Sequence, residues 1–206
     1  MEPQNARSRR TREAVLEAAH RLVEEGGFAA LTMAAVAEGA GVTRRSLYLH
    51  FESRTALVVA LFDHVNDEVG VAASGAQVWA VTDARDLLAE WFAHLARCQP
   101  RLLRVARAVQ RVKDDDPDAA AHWDLVQQDW RASSLRVARR LAQGEVLDPG
   151  WTVREAADLL LALMGFDVLE TLLGERGWSE SAYRTRLTRA AERMLLAPAP
   201  SVASGP

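Results

Sequence analysis

An all-α fold is what this sequence predicts, on three observations. Apolar residues recur at three- and four-residue spacing along most of the chain, no apolar–polar alternation runs long enough to build a sheet, and short Gly, Pro, Asp and Ser clusters punctuate the helical stretches. That punctuation divides the chain into about nine helices, with no repeat at a solenoid period.

Residues 1–10 are polar, carry Arg7, Arg9 and Arg10, and lack periodic apolar positions. With Arg12 just beyond, they predict a flexible basic arm able to touch phosphates or enter a minor groove. Helix begins at Thr11, a candidate N-cap, because Val15, Leu16, Ala19, Leu22 and Val23 then share one face; Gly26 and Gly27 supply a left-handed stop. Thr32 caps a short helix with Met33, Val36, Ala37 and Ala40 on one face, Gly41 serves a tight turn, and Thr43 caps a helix running to Phe51. Ser53 caps a longer helix carrying Leu57, Leu61, Phe62 and Val65.

The body then predicts helices over 83–98, 100–112, 117–143, 153–173 and 180–196, separated by Gly70 to Gly75, Pro100, the run from Asp114 to Pro117, Asp148-Pro149-Gly150, and Gly174 to Gly177. The expected domains are the arm 1–10, a helix-turn-helix head 11–57, a helical body 58–196 for ligand binding and dimerisation, and a disordered tail 197–206 of Ala, Pro, Ser and Gly.

Composition narrows the function. Of 206 residues 49% are hydrophobic, enough for a sizeable core, and the net charge of -3 means that any surface for a polyanion must come from local Arg clustering. Cys98 is the one cysteine, so a disulfide framework is excluded and a cytoplasmic setting is expected. The longest apolar stretch, 156–173, is interrupted by Asp158, Asp167 and Glu170, which argues against a membrane span. No paired nucleophile and base, no phosphate-cradling Gly loop and no acid pair in recognisable context is present, so neither enzyme activity nor a cofactor is expected.

Local clustering of Arg does occur. A helix-turn-helix needs a small residue in its first helix, Gly at the turn and an apolar plug after it, and Ala37, Gly41, Val42 and Leu47 meet that spacing. Its second helix presents Thr43, Arg44, Arg45 and Ser46 at the end that reaches base edges, and paired arginines suit guanine O6 and N7. Tyr48, His50 and Arg54 have donors for phosphate oxygens, and Thr32 completes the candidate DNA-binding set.

The run from Leu31 to Leu57 resembles the signature of the tetracycline-repressor (TetR) family of bacterial regulators. Its most specific parts are Ala40-Gly-Val-Thr, Leu47-Tyr48-x-His50-Phe51 and the basic residue Arg54. The resemblance covers roughly the first quarter of the chain. It implies a homodimer that sets two recognition helices into successive major grooves of a palindromic operator, a helical ligand-binding core, and DNA release on ligand binding. Many members carry Gly where Arg45 stands, and Lys is commoner than Arg at position 54.

Beyond residue 60 the resemblance fades and only side-chain chemistry guides. Six tryptophans suit a hydrophobic or planar effector, and Trp91, His94, Leu95 and Cys98 share one helix face as Trp123, Gln127 and Trp130 share another. Phe62, Asn66, Met164 and Asp167 complete the expected ligand-binding set. His94 and Cys98 have a metal-ligand spacing, yet no second such pair is visible, so no metal is expected. The helix over 153–173 is apolar around most of its circumference; Leu160, Leu163 and Leu172, with Tyr183, Leu187, Ala191 and Met194, are the candidate dimer interface. The functional expectation is a ligand-responsive homodimeric repressor. An architectural or activating DNA-binding dimer without inducer, and an enzyme with a DNA-binding head, are the alternatives.

Overall fold

A computed structural model describes residues 2–198, with side chains from Ala6 onward except at Asp118. Its order is α1 (Glu2–Ala30), α2 (Met33–Gly39), α3 (Arg44–His50), α4 (Arg54–Val69), α5 (Val71–Ala80), α6 (Asp86–Val112), α7 (Pro117–Gln143), α8 (Val153–Leu163), α9 (Phe166–Leu169) running on as a π-helical stretch Glu170–Glu175, and α10 (Glu180–Leu195). The one extended pairing among the described residues is an isolated bridge between Leu147 and Leu196. The all-α expectation holds.

Residues as far as Ala72 form one compact unit with Arg101–Gln127, and Ala73–Pro100 form another with the residues from Gln128 on. The division thus falls within α6 and α7, not at residue 57. In the first unit α2 packs on α1, α3 on α2, and α4 returns to α1, burying Val15, Leu16, Val23, Leu31, Val36, Leu47, Leu57 and Leu61. In the second, α10 lies against α8 and against the π-helical stretch, with Leu88, Phe92, Leu141, Leu160, Leu169 and Tyr183 fully covered.

Six departures from the sequence reading have local physical causes. The segment expected as an arm is helical from Glu2, and Thr11 lies inside the helix. Pro3 is tolerated in a first turn, and the Gln, Ala, Arg and Glu content after it gives a nucleated helix no reason to stop. The glycine stop exists, since Gly27 leaves helical geometry at φ 65°, but helix resumes to Ala30. Gly70 to Gly75 is not a loop: Gly70 alone, left-handed at φ 72° and ψ 38°, ends α4, and α5 starts at the next residue. Gly75 is carried inside α5, its modest propensity cost offset by the buried Ser74 and Val78.

Pro100 likewise sits inside one long α6 where two helices were expected. It removes a single backbone donor, and flanking Gln99 and Leu102 are buried. The stretch 153–173, read as one helix, breaks at Gly165, whose extended backbone (φ -61°, ψ 142°) starts α9. The beginning of the expected tail is tied down: Ala197 donates its N–H to Val146 O at 2.9 Å and accepts from Arg85 at 3.2 Å. The tail from residue 199 lies outside the described residues.

Candidate nucleic-acid interface

The local sequence builds the two helices of the head and the turn between them. Thr32 Oγ1 accepts from Ala35 N at 3.1 Å and starts α2; Val36 and Ala37 face inward. Gly41 takes φ 64°, a backbone state that costs an L-residue, and Val42 N closes the turn on Ala37 O at 2.9 Å. Thr43 Oγ1 then accepts from Ser46 N at 3.1 Å, so α3 begins where its cap dictates. Leu47, fully buried, fixes the rotation of α3, and Phe51 is buried just after its end.

With that rotation set, Thr43, Arg44 and Arg45 are exposed, and among the described residues neither arginine makes an ion pair or hydrogen bond. Tyr48 is 51% exposed and Leu49 80%. Ser46 and His50 are half-buried, and the His50 ring lies 6.5 Å from Phe51. Thr32 is exposed, its oxygen already engaged as a cap. The structure therefore brings Thr43, Arg44, Arg45, Ser46, Tyr48 and His50 onto one short helix and its cap.

Arg54 does not join them. Its Nη2 donates to Phe28 O at 2.5 Å, its guanidinium lies 3.7 Å over the Phe28 ring, and its Nε is buried without a partner. Burial pulls its pKa down from the usual guanidinium value. The side chain read as a phosphate contact instead ties α4 to the end of α1. Leu49 was missed, although the helical period contains it: two residues past the buried Leu47 is a rotation of about 200°, the opposite face of the helix.

Residues 15–61 match the family model of bacterial regulatory proteins of the tetR family. Along nearly its full length, 94% of this chain and 96% of the relative, the chain is 29% identical to the HTH-type transcriptional repressor BepR of Brucella suis biovar 1. The likeness to the TetR family is thus strongest over the head. Over 57 residues, 28% of this chain and 27% of the relative, it is 44% identical to the HTH-type transcriptional regulator TtgR of Pseudomonas putida. The fold matches the crystal structure, in complex with choline, of a protein from Saccharomonospora viridis, with a TM-score of 0.76 at 19% identity over 91% of this chain and 98% of that one. These likenesses support a DNA-binding transcriptional regulator.

The expected ligand-binding residues fall into both compact units. Phe62, Asn66, Trp123 and Gln127 belong to the first, where the Phe62 ring lies 5.6 Å from His122 and 6.5 Å from Trp123, both edge-on. Trp91, His94, Leu95, Cys98, Trp130, Met164 and Asp167 belong to the second. There the Trp91 and His94 rings are 5.9 Å apart, Cys98 Sγ is 3.7 Å from His94 Nδ1, and Trp130 meets Phe166 at 5.2 Å. Met164 is buried, its carbonyl accepting from Gln99 Nε2 at 2.6 Å; Asp167 is exposed, at odds with a pocket wall. Among the described residues no group of His, Cys, Asp or Glu is arranged to hold a metal, and no helix is long and apolar enough to cross a membrane.

The expected dimer interface needs correction. Leu160, Tyr183, Leu187 and Ala191 are buried inside the protomer, and the Tyr183 hydroxyl donates to Gln99 Oε1 at 3.4 Å. Burial pushes the Tyr183 phenol up to about 12. Leu163 and Leu172 are half-covered and Met194 is 39% exposed, so only these three keep surface for a partner. The apolar circumference of α8 faces its own core on the side first assigned to a second chain.

Proposed function

We propose that this chain is a homodimeric repressor that reads a palindromic operator through α3 and leaves it when a small hydrophobic or planar compound binds the body. The observation that carries the reading is the pair of exposed arginines, Arg44 and Arg45, on a helix whose start is set by Thr43 and whose rotation is set by Leu47. In a major groove, two adjacent guanidinium groups suit guanine edges, and the Thr43 and Ser46 hydroxyls suit either base or phosphate. Tyr48 and His50 supply phosphate donors, and Leu49 supplies an apolar surface of the kind that meets a thymine methyl. Arg54 holds the head together from behind.

Residues 11–57 serve as the reading head and 58–196 as the sensing and pairing body. Trp91, His94, Leu95, Cys98, Trp130 and Met164 line the effector site in the second unit, with Phe62, Asn66, Trp123 and Gln127 as the candidates in the first. Leu163, Leu172 and Met194 contribute to the dimer contact. The repressor BepR, similar over its full length, supports the repressing mode.

Selection of binding sites from a random duplex pool tests the core of this proposal. The selected sites should be inverted repeats whose binding weakens steeply with salt, because Arg–phosphate contacts release counterions. A pool that yields no enriched site, or one in which Arg44→Ala selects the same sites as readily, overturns it.

A further inference from the structure

The second unit holds a small polar network that reaches from a buried serine to the surface. Ser74, only 8% exposed on α5, has its Oγ 3.0 Å from Arg97 Nε and 2.9 Å from His94 Nδ1. The arginine can only donate, so the serine oxygen accepts there. No other partner for the hydroxyl exists among the described residues, and a buried hydroxyl proton left unpaired is costly, which favours donation from Ser74 to His94 Nδ1, the nitrogen that also lies 3.7 Å from Cys98 Sγ. A neutral imidazole that accepts at Nδ1 carries its proton at Nε2. Burial and the neighbouring Arg97 both lower the His94 pKa, which agrees with the neutral ring.

One turn earlier on α6, Trp91 is 3% exposed and its Nε1–H is buried without any acceptor. The two rings are 5.9 Å apart, and Trp79 stands 6.1 Å from Trp91 with the Arg136 guanidinium 3.9 Å over the Trp79 ring. His94 is only partly covered, and a side chain added at Gly75 would still lie 3.9 Å from its Cε1, ordinary contact distance. Two neighbouring donors, both lacking acceptors and flanked by flat apolar rings, make a site with a defined polarity.

We propose that Trp91 Nε1–H and His94 Nε2–H are a donor pair for a planar aromatic ligand that bears a carboxylate or carbonyl oxygen. This rests on the ligand-responsive reading above and sharpens it. The site selects for acceptors: an aromatic hydrocarbon fills the same apolar surface but leaves both donors unpaired. A quaternary ammonium lacks any acceptor for the two donors.

Two measurements on the full-length protein test it. Nitrogen-15 NMR of labelled histidine should show His94 protonated at Nε2, and Ser74→Ala should weaken that preference; a His94 protonated at Nδ1 in the parent protein overturns the network argument. Calorimetry with 2-naphthoate, 2-acetylnaphthalene, naphthalene and a naphthylmethyl trimethylammonium should show the first two binding at least about tenfold tighter than the last two, with the Trp91 indole N–H resonance shifting. Trp91→Phe should erase most of that advantage, read as the ratio of the affinities for the oxygen-bearing probes to that for naphthalene. If neither oxygen-bearing probe moves the indole resonance at millimolar concentration, or if Trp91→Phe keeps the full preference, the proposal is wrong. Should Trp91→Phe fail to fold, the parent resonances decide alone. Compounds that release the selected operator without moving either resonance would sink the donor pair and leave the regulator reading standing; a protein that binds the probes as described yet never releases DNA would do the reverse.

Discussion

Helices α3 and α4 begin with the same two-letter grammar and put it to opposite uses. Thr43 caps α3 and is followed by Arg44; Ser53 caps α4 and is followed by Arg54. Both caps accept the N–H three residues on, at 3.1 Å and 3.0 Å. Yet Arg44 is exposed with no partner among the described residues, whereas Arg54 lies over Phe28 and hydrogen-bonds its carbonyl, 26 positions away. What separates them is the neighbourhood that the fold brings up, an open face at one helix start and the end of α1 at the other. An arginine at a helix start is a phosphate contact only when nothing inside the protein takes it first.

Substitutions can break that contrast. Arg44→Ala should have the largest effect on DNA, costing about 1 to 3 kcal/mol at the selected site and blurring one base position. Its unfolding midpoint should stay within about 0.5 kcal/mol of the parent, because the side chain is exposed. Arg54→Ala should do the reverse. Loss of a partly buried charge-assisted hydrogen bond and a cation–π contact should lower stability by about 1 to 3 kcal/mol in urea, with base preference unchanged among the molecules still folded. An Arg54→Ala protein of parental stability with altered base preference would erase the distinction.

Leu49→Ala sharpens the comparison from the other side of α3. It should cost on the order of 1 kcal/mol on DNA and little stability, since an 80%-exposed leucine contributes nothing to the core. Replacing thymine by deoxyuridine at the contacted step should weaken the parent protein by a similar factor and leave Leu49→Ala indifferent. Gly41→Ala tests the turn that aims both faces: a side chain at φ 64° should cost about 1 kcal/mol of folding stability.

The smallest effect concerns the body. The Tyr183 phenol is raised by burial to about 12, so the folded state keeps its proton where the unfolded chain, near 10, has lost it. The unfolded state binds fewer protons in that interval, and stability attributable to this group is present below pH 10 and lost as pH rises toward 12. Tyr183→Phe should flatten the fall of the urea midpoint over that range. An unchanged slope would place the titration elsewhere.

The head was legible because its signals are local. Thr32, Thr43 and Ser53 cap the helices they precede, and Gly41 sits where positive φ is needed; each acts within four residues, inside the reach of sequence pattern. Asp116 acts at the same short range, accepting from Ala119 N at 3.2 Å at the start of α7. The body resisted where packing outvoted propensity. Gly75 and Pro100 look like breaks and are helical, whereas Gly165 divides an apolar run that looks continuous.

By itself the chain's order of residues determined an all-helical protein, the three caps and the glycine turn of its head, and the paired arginines of α3. Those follow from hydrogen bonds and backbone strain between near neighbours. Only the tertiary structure decided that Arg54 is spent on Phe28, that Leu49 is bare, that Tyr183 and Leu187 face inward, and that Ser74 stands 2.9 Å from His94 Nδ1. Each of these depends on which distant surface arrives beside a side chain, and burial, unlike a cap, has no short-range code.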